Sequence, residues 1–468
     1  MQKCHLAVDI GASSGRVIAG YLKNGQLKLE EVHRFENKMS MQNNHLCWDL
    51  ERLFEEIKTG MKKSIANSYQ PISIGVDTWA VDFILLNDQK ERMTDAVAYR
   101  DHRTDGVMEE VFEILNPEHI YKDTGIQFQP FNTIYQLYAL KKESPETLEQ
   151  SAHFLMVPDY LNFLLTGKIT NEYTNVSTTQ LLNAKEKTWN VAFLEKLGIP
   201  HHIFSEPKEP MQPIGRLKKE LIEELGYDMT VVLPGTHDTA SAVVSVPSEE
   251  TIYISSGTWS LIGVESDEPI STKEAYDCNF TNEGGVNHNI RFLKNIMGLW
   301  MIQEVKREFN DEYDFAEFVV LAYENTEFPS IIDVNDQRFL SPDSMMKAIQ
   351  QYCDETEQTI PQTPGEIASC IFNSLVESYK NAVTQIEKLT GKSFDTIHII
   401  GGGSKNNYMN ERLAKVTGKT VCTGPAEATA IGNLIAQMVA TNEIESIEKS
   451  KEIINHSFDI QKFSVRGE

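Results

Sequence analysis

The sequence predicts an α/β protein built from two lobes with a cleft between them. Its 468 residues exceed the usual size of one domain and suit two domains of roughly 200–250 residues each. Strand-like and helix-like segments alternate in both halves of the chain. The strand–turn–strand pattern VDIGASSGRVIAG near the N-terminus is echoed by ISSGTWSLIGVE at residues 254–265, which indicates an internal duplication.

The boundary between the lobes is expected in VPSEE at residues 246–250, because proline and consecutive acids interrupt the periodic pattern there. We therefore predict a first lobe at residues 1–245, a second lobe at 246–455 and a tail at 456–468.

The first half opens with three short apolar runs separated by tight turns, CHLAVDIG, GRVIAGYL and QLKLEEVHRF. This pattern predicts an antiparallel meander. Apolar residues at helical spacing predict a helix at about 49–66. PISIGVDTWAVDFILL reads as two strands around a polar turn, and VPDYLNFLLTG as a helix that begins at proline and ends at glycine. MTVVLPGTHDTASAVVSV predicts a strand, a turn and a helix.

The second half begins with the strand–turn–strand at 251–265 and continues into a long helix at about 364–390. A strand, a triple-glycine turn, a helix and a strand are predicted in DTIHIIGGGSKNNYMNERLAKVTGKTV. EATAIGNLIAQMVA predicts a helix whose small residues let neighbouring elements approach closely. The charged chain after 441 predicts a surface helix.

The charge of the chain limits its partners. The formal net charge is −25 and the isoelectric point is about 4.9. An acidic surface repels nucleic-acid phosphates and anionic lipids, so we expect neither as a partner. A small anion such as ATP is still compatible, because backbone N–H groups and a metal ion hold phosphates locally.

The cellular compartment is predicted to be the cytoplasm. The six cysteines are scattered without a C-x-x-C pair, which is typical of reduced thiols. A bridge between Cys353 and Cys370 stays open at this stage. Neither a signal peptide nor an apolar run of roughly 20 residues is recognisable.

Three familiar motifs are excluded. Gly391-Lys392-Ser393 and Gly418-Lys419-Thr420 resemble the end of a P-loop, but the positions of the required upstream glycine hold Ile386 and Leu413. The sequence contains no G-x-G-x-x-G and no His/Cys cluster with zinc spacing.

Three turns are candidate phosphate-binding sites. In Asp9–Arg16, glycines and serines can bring backbone amides close to phosphate oxygens, Arg16 can neutralise charge, and Asp9 is placed to organise Mg²⁺ through water. Gly257-Thr258 and Gly401–Gly403 offer similar bare backbone. Each turn has an ordinary alternative interpretation, as a hairpin or a tight connection between a strand and a helix.

Two further turns carry acids. Asp238 follows a strand and opens a helix, so it is a candidate general base, or simply the N-cap of that helix. Asp77–Asp82 places two acids and Trp79 in one turn. Such a turn can bind a sugar, with the indole covering a sugar face, or it can be a hairpin with a core tryptophan.

Taken in order, these motifs resemble the FGGY family of carbohydrate kinases, within the actin-like (ribonuclease H-like) ATPase superfamily. The resemblance spans nearly the whole chain and rests on DIGASSGRV, DTWAVDF, RDHR, VPDYLNFLLTGK, EYTNVSTTQLLN, GTHDTASAV, SSGTWSL and the triple glycine. GIQFQPFNTIYQL, TNEGG and LKNIMGLWMIQE resemble the branch of the family that acts on L-rhamnulose. One departure is Trp79-Ala80, where relatives often have Trp-Gly.

The resemblance implies a sugar-binding first lobe, an ATP-binding second lobe and phosphorylation of L-rhamnulose at its C1 hydroxyl, with Mg²⁺ as cofactor, in L-rhamnose catabolism. Asp238 would be the proton acceptor and Asp9 would hold the metal through water. The implied substrate-binding residues are Ala80, His237, Asp238, Thr239 and Asn295. The implied ATP-binding residues are Ala12, Ser13, Ser14, Gly15, Arg16, Thr258, Gln303 and Gly402.

Three other functions share parts of this pattern. A kinase for another ketose, such as L-fuculose or a xylulose, differs by only a few pocket side chains. A non-catalytic actin-like sugar sensor would not need an acid at Asp238, and the sugar-site turn at 77–82 argues against an actin-like chaperone or filament former.

Overall fold

The computed structural model describes residues 1–464, which form two compact α/β units. The first contains Met1–Pro247, Glu265–Phe292 and Thr429–Ser457, and the second contains Ser248–Val264, Leu293–Ala428 and the chain from Phe458 onward. Both units are therefore discontinuous in sequence. The lobe boundaries at 245 and 455 stay a prediction. Of the predicted tail at 456–468, residues 465–468 lie outside the described part.

The strands are β1 (Gln2–Ile10), β2 (Ser14–Lys23), β3 (Gln26–Glu36), β4 (Met39–Gln42), β5 (His45–Trp48), β6 (Tyr69–Thr78), β7 (Phe83–Leu86), β8 (Ala96–Val97), β9 (His153–Met156), β10 (Leu182–Asn183), β11 (Thr188–Trp189), β12 (Gln212–Arg216), β13 (Thr230–Leu233), β14 (Ile252–Ser256), β15 (Trp259–Ser266), β16 (Thr281–Gly284), β17 (Ile290–Met297), β18 (Thr396–Ile400), β19 (Thr420–Thr423) and β20 (Gln461–Phe463).

The helices are α1 (Leu50–Ala66), α2 (Val107–Ile114), α3 (Pro117–Thr124), α4 (Thr133–Glu143), α5 (Pro145–Glu149), α6 (Val157–Thr166), α7 (Tyr173–Val176), α8 (Val191–Leu197), α9 (Lys219–Leu225), α10 (Asp238–Val244), α11 (Lys273–Asp277), α12 (Trp300–Glu308), α13 (Phe315–Glu324), α14 (Met345–Glu355), α15 (Pro364–Thr390), α16 (Asn407–Thr417), α17 (Ala428–Ala440) and α18 (Ile447–Ser457). Short 3-10 turns include His102–Thr104 and Gly402–Lys405.

The main sheet of the first unit has the order β12-β13-β6-β1-β2-β3. The predicted meander is confirmed, because β1 pairs antiparallel with β2, and β2 with β3. β6 adds to β1 in parallel, and β13 adds to β6 in parallel. Parallel strands place their carboxyl ends at one edge of the sheet, which is where α/β proteins bind ligands.

Helix α1 covers this sheet as its apolar spacing predicts. Asp49 caps its first turn by accepting a hydrogen bond from the Arg52 backbone N–H, and Leu53, Ile57 and Met61 are buried. The predicted helix at VPDYLNFLLTG is α6, which ends at Gly167 in the left-handed conformation. That ending is the usual glycine C-cap.

The second unit has the predicted strand–turn–strand, β14 and β15, paired antiparallel. β14 also pairs in parallel with β18, β18 pairs in parallel with β19, and β20 closes this edge antiparallel to β19. The long predicted helix is α15, which starts with Thr363 and Glu366 in a capping box. The predicted surface helix after 441 is α18.

Helix α17 confirms the predicted close approach of small residues. A Cβ placed on Gly432 would lie 1.7 Å from the Ser241 carbonyl oxygen, so only glycine fits between α17 and α10. Within residues 1–464, no helix combines the length and apolarity that crossing a membrane requires. All six cysteines are free thiols, including Cys353 and Cys370.

Candidate functional site

An acidic cluster lies at the carboxyl ends of β1 and β6. Asp9 and Asp77 are direct partners on these parallel strands, and Arg16 is the partner of Asp9 on β2. Arg16 Nη2 donates to Asp9 Oδ2 over 2.6 Å. Asp77 is fully buried, and its Oδ1 has no hydrogen-bond partner among the described residues. Burial first, and then the charge of Asp9, hold the pKa of Asp77 well above its usual range.

A buried chain of amide and hydroxyl groups supports Asp77 from behind. Asn433 Nδ2 donates to Asp77 Oδ2 over 2.5 Å, and Gln437 Nε2 donates to Asn433 Oδ1 over 2.7 Å. Ser73 Oγ donates to Gln437 Oε1 over 2.5 Å. Gly75 makes room for this chain, because a Cβ there would lie 2.6 Å from Asn433 Oδ1.

The turn between β13 and α10 brings Asp238 to the same edge of the sheet. The Thr78 backbone N–H donates to the Thr236 carbonyl over 2.9 Å, which anchors the turn beside the end of β6. Asp238 is the first residue of α10, and His237 is its N-cap residue. The N-cap interpretation of Asp238 is therefore wrong. Its carboxylate accepts a hydrogen bond from Thr239 Oγ1 over 3.0 Å.

Glu172 fixes the turn between β13 and α10 through hydrogen bonds. It is fully buried, and its carboxylate accepts hydrogen bonds from the backbone N–H and the hydroxyl of Thr236, at 3.0 and 2.5 Å. It also accepts from the backbone and hydroxyl of Thr174, at 2.9 and 2.6 Å. Glu172 therefore joins the EYTN segment at 172–175 to the GTHD segment at 235–238, which places both segments at one site.

Asp238 has the electrostatics of a general base. Burial and then repulsion from Asp9 raise its pKa to about 7, against the hydrogen bonds from Thr239. Its side chain still has 31% of its surface exposed. A carboxylate whose pKa lies near neutrality is well matched to accepting a proton from a hydroxyl group.

His237 is clamped by residues that the sequence analysis did not identify. Arg291 Nη2 lies 3.0 Å from His237 Nδ1 and 3.1 Å from Glu283 Oε2. On the other side of the ring, Nε2 lies 3.5 Å from Asp238 Oδ1. Burial and the charge of Arg291 hold the pKa of His237 well below its usual range, so the ring is neutral.

In the turn at 77–82, the side chains of Trp79 and Asp82 are engaged by other protein residues. Asp82 Oδ2 accepts the indole N–H groups of Trp48 and Trp79 over 2.7 and 2.9 Å, and Gln136 Nε2 donates to its Oδ1 over 3.0 Å. Trp79 is only 6% exposed and packs on Trp48 with ring centroids 4.2 Å apart. Asp82 and Trp79 are thus core residues, which favours the alternative interpretation of this turn, a hairpin with a core tryptophan.

Ala80 remains accessible in this turn, since it is half-buried. The next residue, Val81, has a φ of 67°, a strained conformation for a β-branched residue. Thr133 Oγ1 fixes it by donating to the Val81 carbonyl over 2.8 Å. Strain of this kind is typical of functional sites.

The predicted phosphate turn at Ala12–Arg16 is the tight connection between β1 and β2. The Gly11 N–H donates to the Ser14 carbonyl over 2.9 Å, and Ser13 is exposed at the tip. Gly15 is required by packing, because a Cβ there would lie 2.2 Å from the Phe35 ring.

The other predicted ATP residues lie in the second unit and are brought together there. The backbone N–H groups of Leu299 and Trp300 donate to the carbonyls of Gly257 and Thr258, which places the first turn of α12, with Gln303, against this loop. Cβ atoms on Gly401 and Gly403 would meet Ser256 at 2.9 and 2.0 Å. Gly402 instead faces open space, with nothing within 4 Å of a Cβ. Asn295, a predicted sugar contact, lies half-buried on β17 in this unit.

Arg291, Glu283, Asn433 and Gln437 were missed by the sequence analysis. The TNEGG segment includes Glu283, but an isolated acid or amide gives no local signal of the residue it will contact. Among residues 1–464, no group of three or more His, Cys, Asp or Glu side chains is arranged to hold a metal ion directly.

Both halves of the chain match domains of a known protein family. Residues 4–245 match the N-terminal domain, and residues 252–441 the C-terminal domain, of the FGGY family of carbohydrate kinases. A rhamnulokinase from Oceanobacillus iheyensis is 58% identical over 465 residues, 99% of each chain. A rhamnulokinase from Halalkalibacterium halodurans is 55% identical, over 98% of each chain. The structure of a ligand-bound xylulose kinase from Lactobacillus acidophilus has a TM-score of 0.80 at 16% identity, over 99% of this chain and 94% of that one.

Proposed function

Because the chain belongs to the FGGY family of carbohydrate kinases, we propose that it transfers the γ-phosphoryl group of ATP to the C1 hydroxyl of L-rhamnulose, as a step of L-rhamnose catabolism. The products are L-rhamnulose 1-phosphate and ADP. The observation that carries the proposal is Asp238, a partly exposed carboxylate with a pKa near 7 beside the predicted sugar residues His237 and Thr239. The identity to two rhamnulokinases over almost the full chain supports the choice of sugar.

In this mechanism Asp238 accepts the proton of the C1 hydroxyl as that oxygen bonds to the γ-phosphorus and the bond to the β-phosphate oxygen breaks. Phosphoryl transfer has a loose transition state, so positioning and charge neutralisation provide most of the acceleration. His237, Thr239, Ala80 and Asn295 are proposed to orient the ketose. The rigid hold of Glu172 on Thr236 limits motion of the base, which favours a productive geometry.

The phosphates are proposed to bind exposed backbone in each unit. Ala12, Ser13, Ser14 and Gly15 present the turn after β1, and Arg16 adds a guanidinium that also donates to Asp9. In the second unit, Thr258, Gln303 and Gly402 form the remaining proposed contacts. The open space at Gly402 fits the close approach of a ligand to bare backbone.

Magnesium fits the acidic cluster of the first unit. Asp77 Oδ1 has no hydrogen-bond partner among the described residues, and Asp77 lies opposite Asp9 on the neighbouring strand. Mg²⁺ usually keeps several waters and binds one or two carboxylates together with substrate phosphates, so a site with fewer than three direct protein ligands suits it. We propose that Asp9 holds the ion through water. The ion would neutralise the charge of the phosphates.

A kinase for L-fuculose or a xylulose is the second candidate, because Ala80 replaces the glycine often found in relatives. A coupled ADP-release assay with Mg-ATP tests both, using L-rhamnulose, L-fuculose, D- and L-xylulose, glycerol and no sugar. We expect the highest kcat/KM with L-rhamnulose and little ADP release without sugar. A preference for another ketose would change the assigned substrate but keep the kinase activity. No activity with any sugar would refute the kinase assignment.

A cytoplasmic location is proposed as well. It rests on the free thiols of all six cysteines and on the need for ATP.

A further inference from the structure

We propose that Glu283 and Arg291 are positioning residues that hold neutral His237 in the tautomer with its proton on Nε2, and so present this N–H beside Asp238 to an oxygen of the sugar. The inference rests on the proposed function only for the identity of the acceptor. The three side chains belong to β16, β17 and the turn before α10, all within the first unit.

The tautomer follows from the chemistry of the donors. A guanidinium has N–H donors and no acceptor, so Arg291 Nη2 at 3.0 Å requires His237 Nδ1 to accept. A neutral imidazole carries one proton, which must then be on Nε2. Arg291 is fully buried, so water does not compete for this contact.

Glu283 determines where the guanidinium lies. Its Oε2 accepts from the same Nη2 atom over 3.1 Å, so the two hydrogens of Nη2 serve the carboxylate and the imidazole. Arg291 Nε donates in addition to the Gly284 carbonyl over 2.9 Å. With these two acceptors on one side, the guanidinium has one orientation, and its remaining Nη2 hydrogen points to His237.

The N–H on the other side of the ring is available to a ligand. His237 Nε2 is 3.5 Å from Asp238 Oδ1, which is too long for a good hydrogen bond. A neutral donor and a carboxylate acceptor therefore stand side by side. Such a pair can bind two neighbouring hydroxyl groups of a sugar. One hydroxyl oxygen accepts from the His237 N–H, and the other hydroxyl donates to the Asp238 carboxylate.

Charged groups surround this pair of side chains. His237 faces Arg291, Glu283 and Asp238. Asp238 is further affected by Asp9, which raises its pKa, and by Arg291, which lowers it. Removing Arg291 would leave Nδ1 facing Glu283 Oε2 at 3.4 Å, an arrangement that favours a proton on Nδ1.

Nitrogen NMR of histidine-labelled protein tests the inference without any substrate. The ring signals of His237 are identified by their loss in His237→Gln. We expect the wild type to show the neutral Nε2–H tautomer from about pH 6 to about 8, and Arg291→Met to show a proton on Nδ1. Arg291→Lys keeps a donor-only cation and should retain the wild-type tautomer at least in part.

Kinetics provide the second readout. We expect Arg291→Met to lower kcat for the ketose by roughly 10–100-fold with little change in KM for ATP, by analogy with the groups that orient metal-binding histidines. Arg291→Lys and Glu283→Gln should lie between this variant and the wild type. Glu56→Gln is the matched control, because it removes a carboxylate 2.6 Å from another histidine, His33, and should leave kcat and the His237 signals unchanged.

A proton on Nδ1 of His237 in the wild type would overturn the inference, even if no variant of Arg291 folds. An unchanged His237 tautomer in a folded Arg291→Met protein would also overturn it. Absence of kinase activity in the wild type would instead refute the proposed function, while the NMR result would still decide the tautomer.

Discussion

Asp9 and Asp77 lie opposite each other at the carboxyl ends of two parallel strands, β1 and β6. Arg16 donates to Asp9 and Asn433 donates to Asp77. Asp77 nevertheless stays fully buried with an unpartnered Oδ1. Two adjacent carboxylates in a buried place destabilise the fold at neutral pH, which is expected where a site needs negative charge.

Asp77→Asn is expected to raise thermal stability and to lower activity. The raised pKa of Asp77, due to burial and then Asp9, means that the folded state binds a proton more tightly than the unfolded state. Stability is therefore lost as pH rises, and a neutral amide removes this loss. Calorimetry at neutral pH should show a higher Tm, by about 2–4 °C for each kcal/mol, with a lower kcat.

Asp101→Asn is the matched contrast. Burial alone would raise the pKa of Asp101, but hydrogen bonds from the Leu46 N–H, His45 and the Arg103 N–H lower it. Its loss should therefore decrease the Tm at neutral pH. A decrease of Tm in Asp77→Asn would contradict our account of the acidic cluster.

Asp238→Asn should lower kcat by roughly 10²-fold or more, since the amide cannot accept the hydroxyl proton. Calorimetric titration should show nearly unchanged ATP binding. Asp228→Asn is a suitable control, because Asp228 has a similar exposure of 29% and pairs with Arg216 outside the site. Near-normal turnover of Asp238→Asn would refute the assignment of the base.

The pH dependence of kcat/KM should have an acidic limb near pH 7. Burial and Asp9 raise the pKa of Asp238 to about 7, and only the deprotonated form is a base. Activity should therefore rise as pH increases through about 7 and level off above it. Rates in a constant-ionic-strength buffer series would measure this limb, and a profile that is flat down to about pH 5 would contradict the raised pKa.

Ala80→Gly is expected to change the selectivity among ketoses. Ala80 is half-buried and lies before strained Val81, but its own φ is not in the left-handed region. Removing its methyl group therefore relieves no backbone strain, and we expect the effect to arise from the proposed contact with the ligand. Loss of one methyl changes the ratio of kcat/KM between two sugars by up to roughly 10–200-fold. Ala19→Gly, at a buried position of β2, controls for stability. An unchanged ratio between L-rhamnulose and L-fuculose would show that Ala80 does not line the pocket.

Gly432→Ala should destabilise the first unit by about 1–3 kcal/mol through overpacking. The added Cβ would lie 1.7 Å from the Ser241 carbonyl, and α10 would have to move together with Asp238. The free energy of unfolding, measured by denaturant titration, and kcat should therefore decrease together. Ala436→Gly on the same helix gives the comparison, with a loss of about 1 kcal/mol from helix propensity alone. Wild-type stability in Gly432→Ala would show that α17 and α10 separate easily.

Elements with strong local signals were predictable from the sequence. The meander β1–β3, helix α15 with its capping box, and helix α6 with proline first and glycine last depend on residues close together in the chain. Hydrophobic period and capping chemistry act over a few residues. The same is true of the turns at Gly11, Gly257 and Gly401, whose glycines are visible in the sequence.

The site was only partly predictable. Asp238 was recognised as an acid at the start of a helix, but its position inside the first turn, and not at the N-cap, is a matter of backbone geometry. Trp79 and Asp82 have the composition of a sugar-binding turn, yet Trp48 and Gln136 engage Asp82 in the core. A local pattern does not reveal which distant partner will satisfy a polar group.

The sequence by itself determined the order of strands and helices, the family and the acids and glycines available for chemistry. The tertiary structure alone decided that Asn433 would reach Asp77 and that Arg291 would hold His237 against Asp238. The physical reason is that burial raises the energy of any unpaired polar group. Its partner is therefore selected by packing in three dimensions, as for Asn433, which lies 356 positions from Asp77 in the chain.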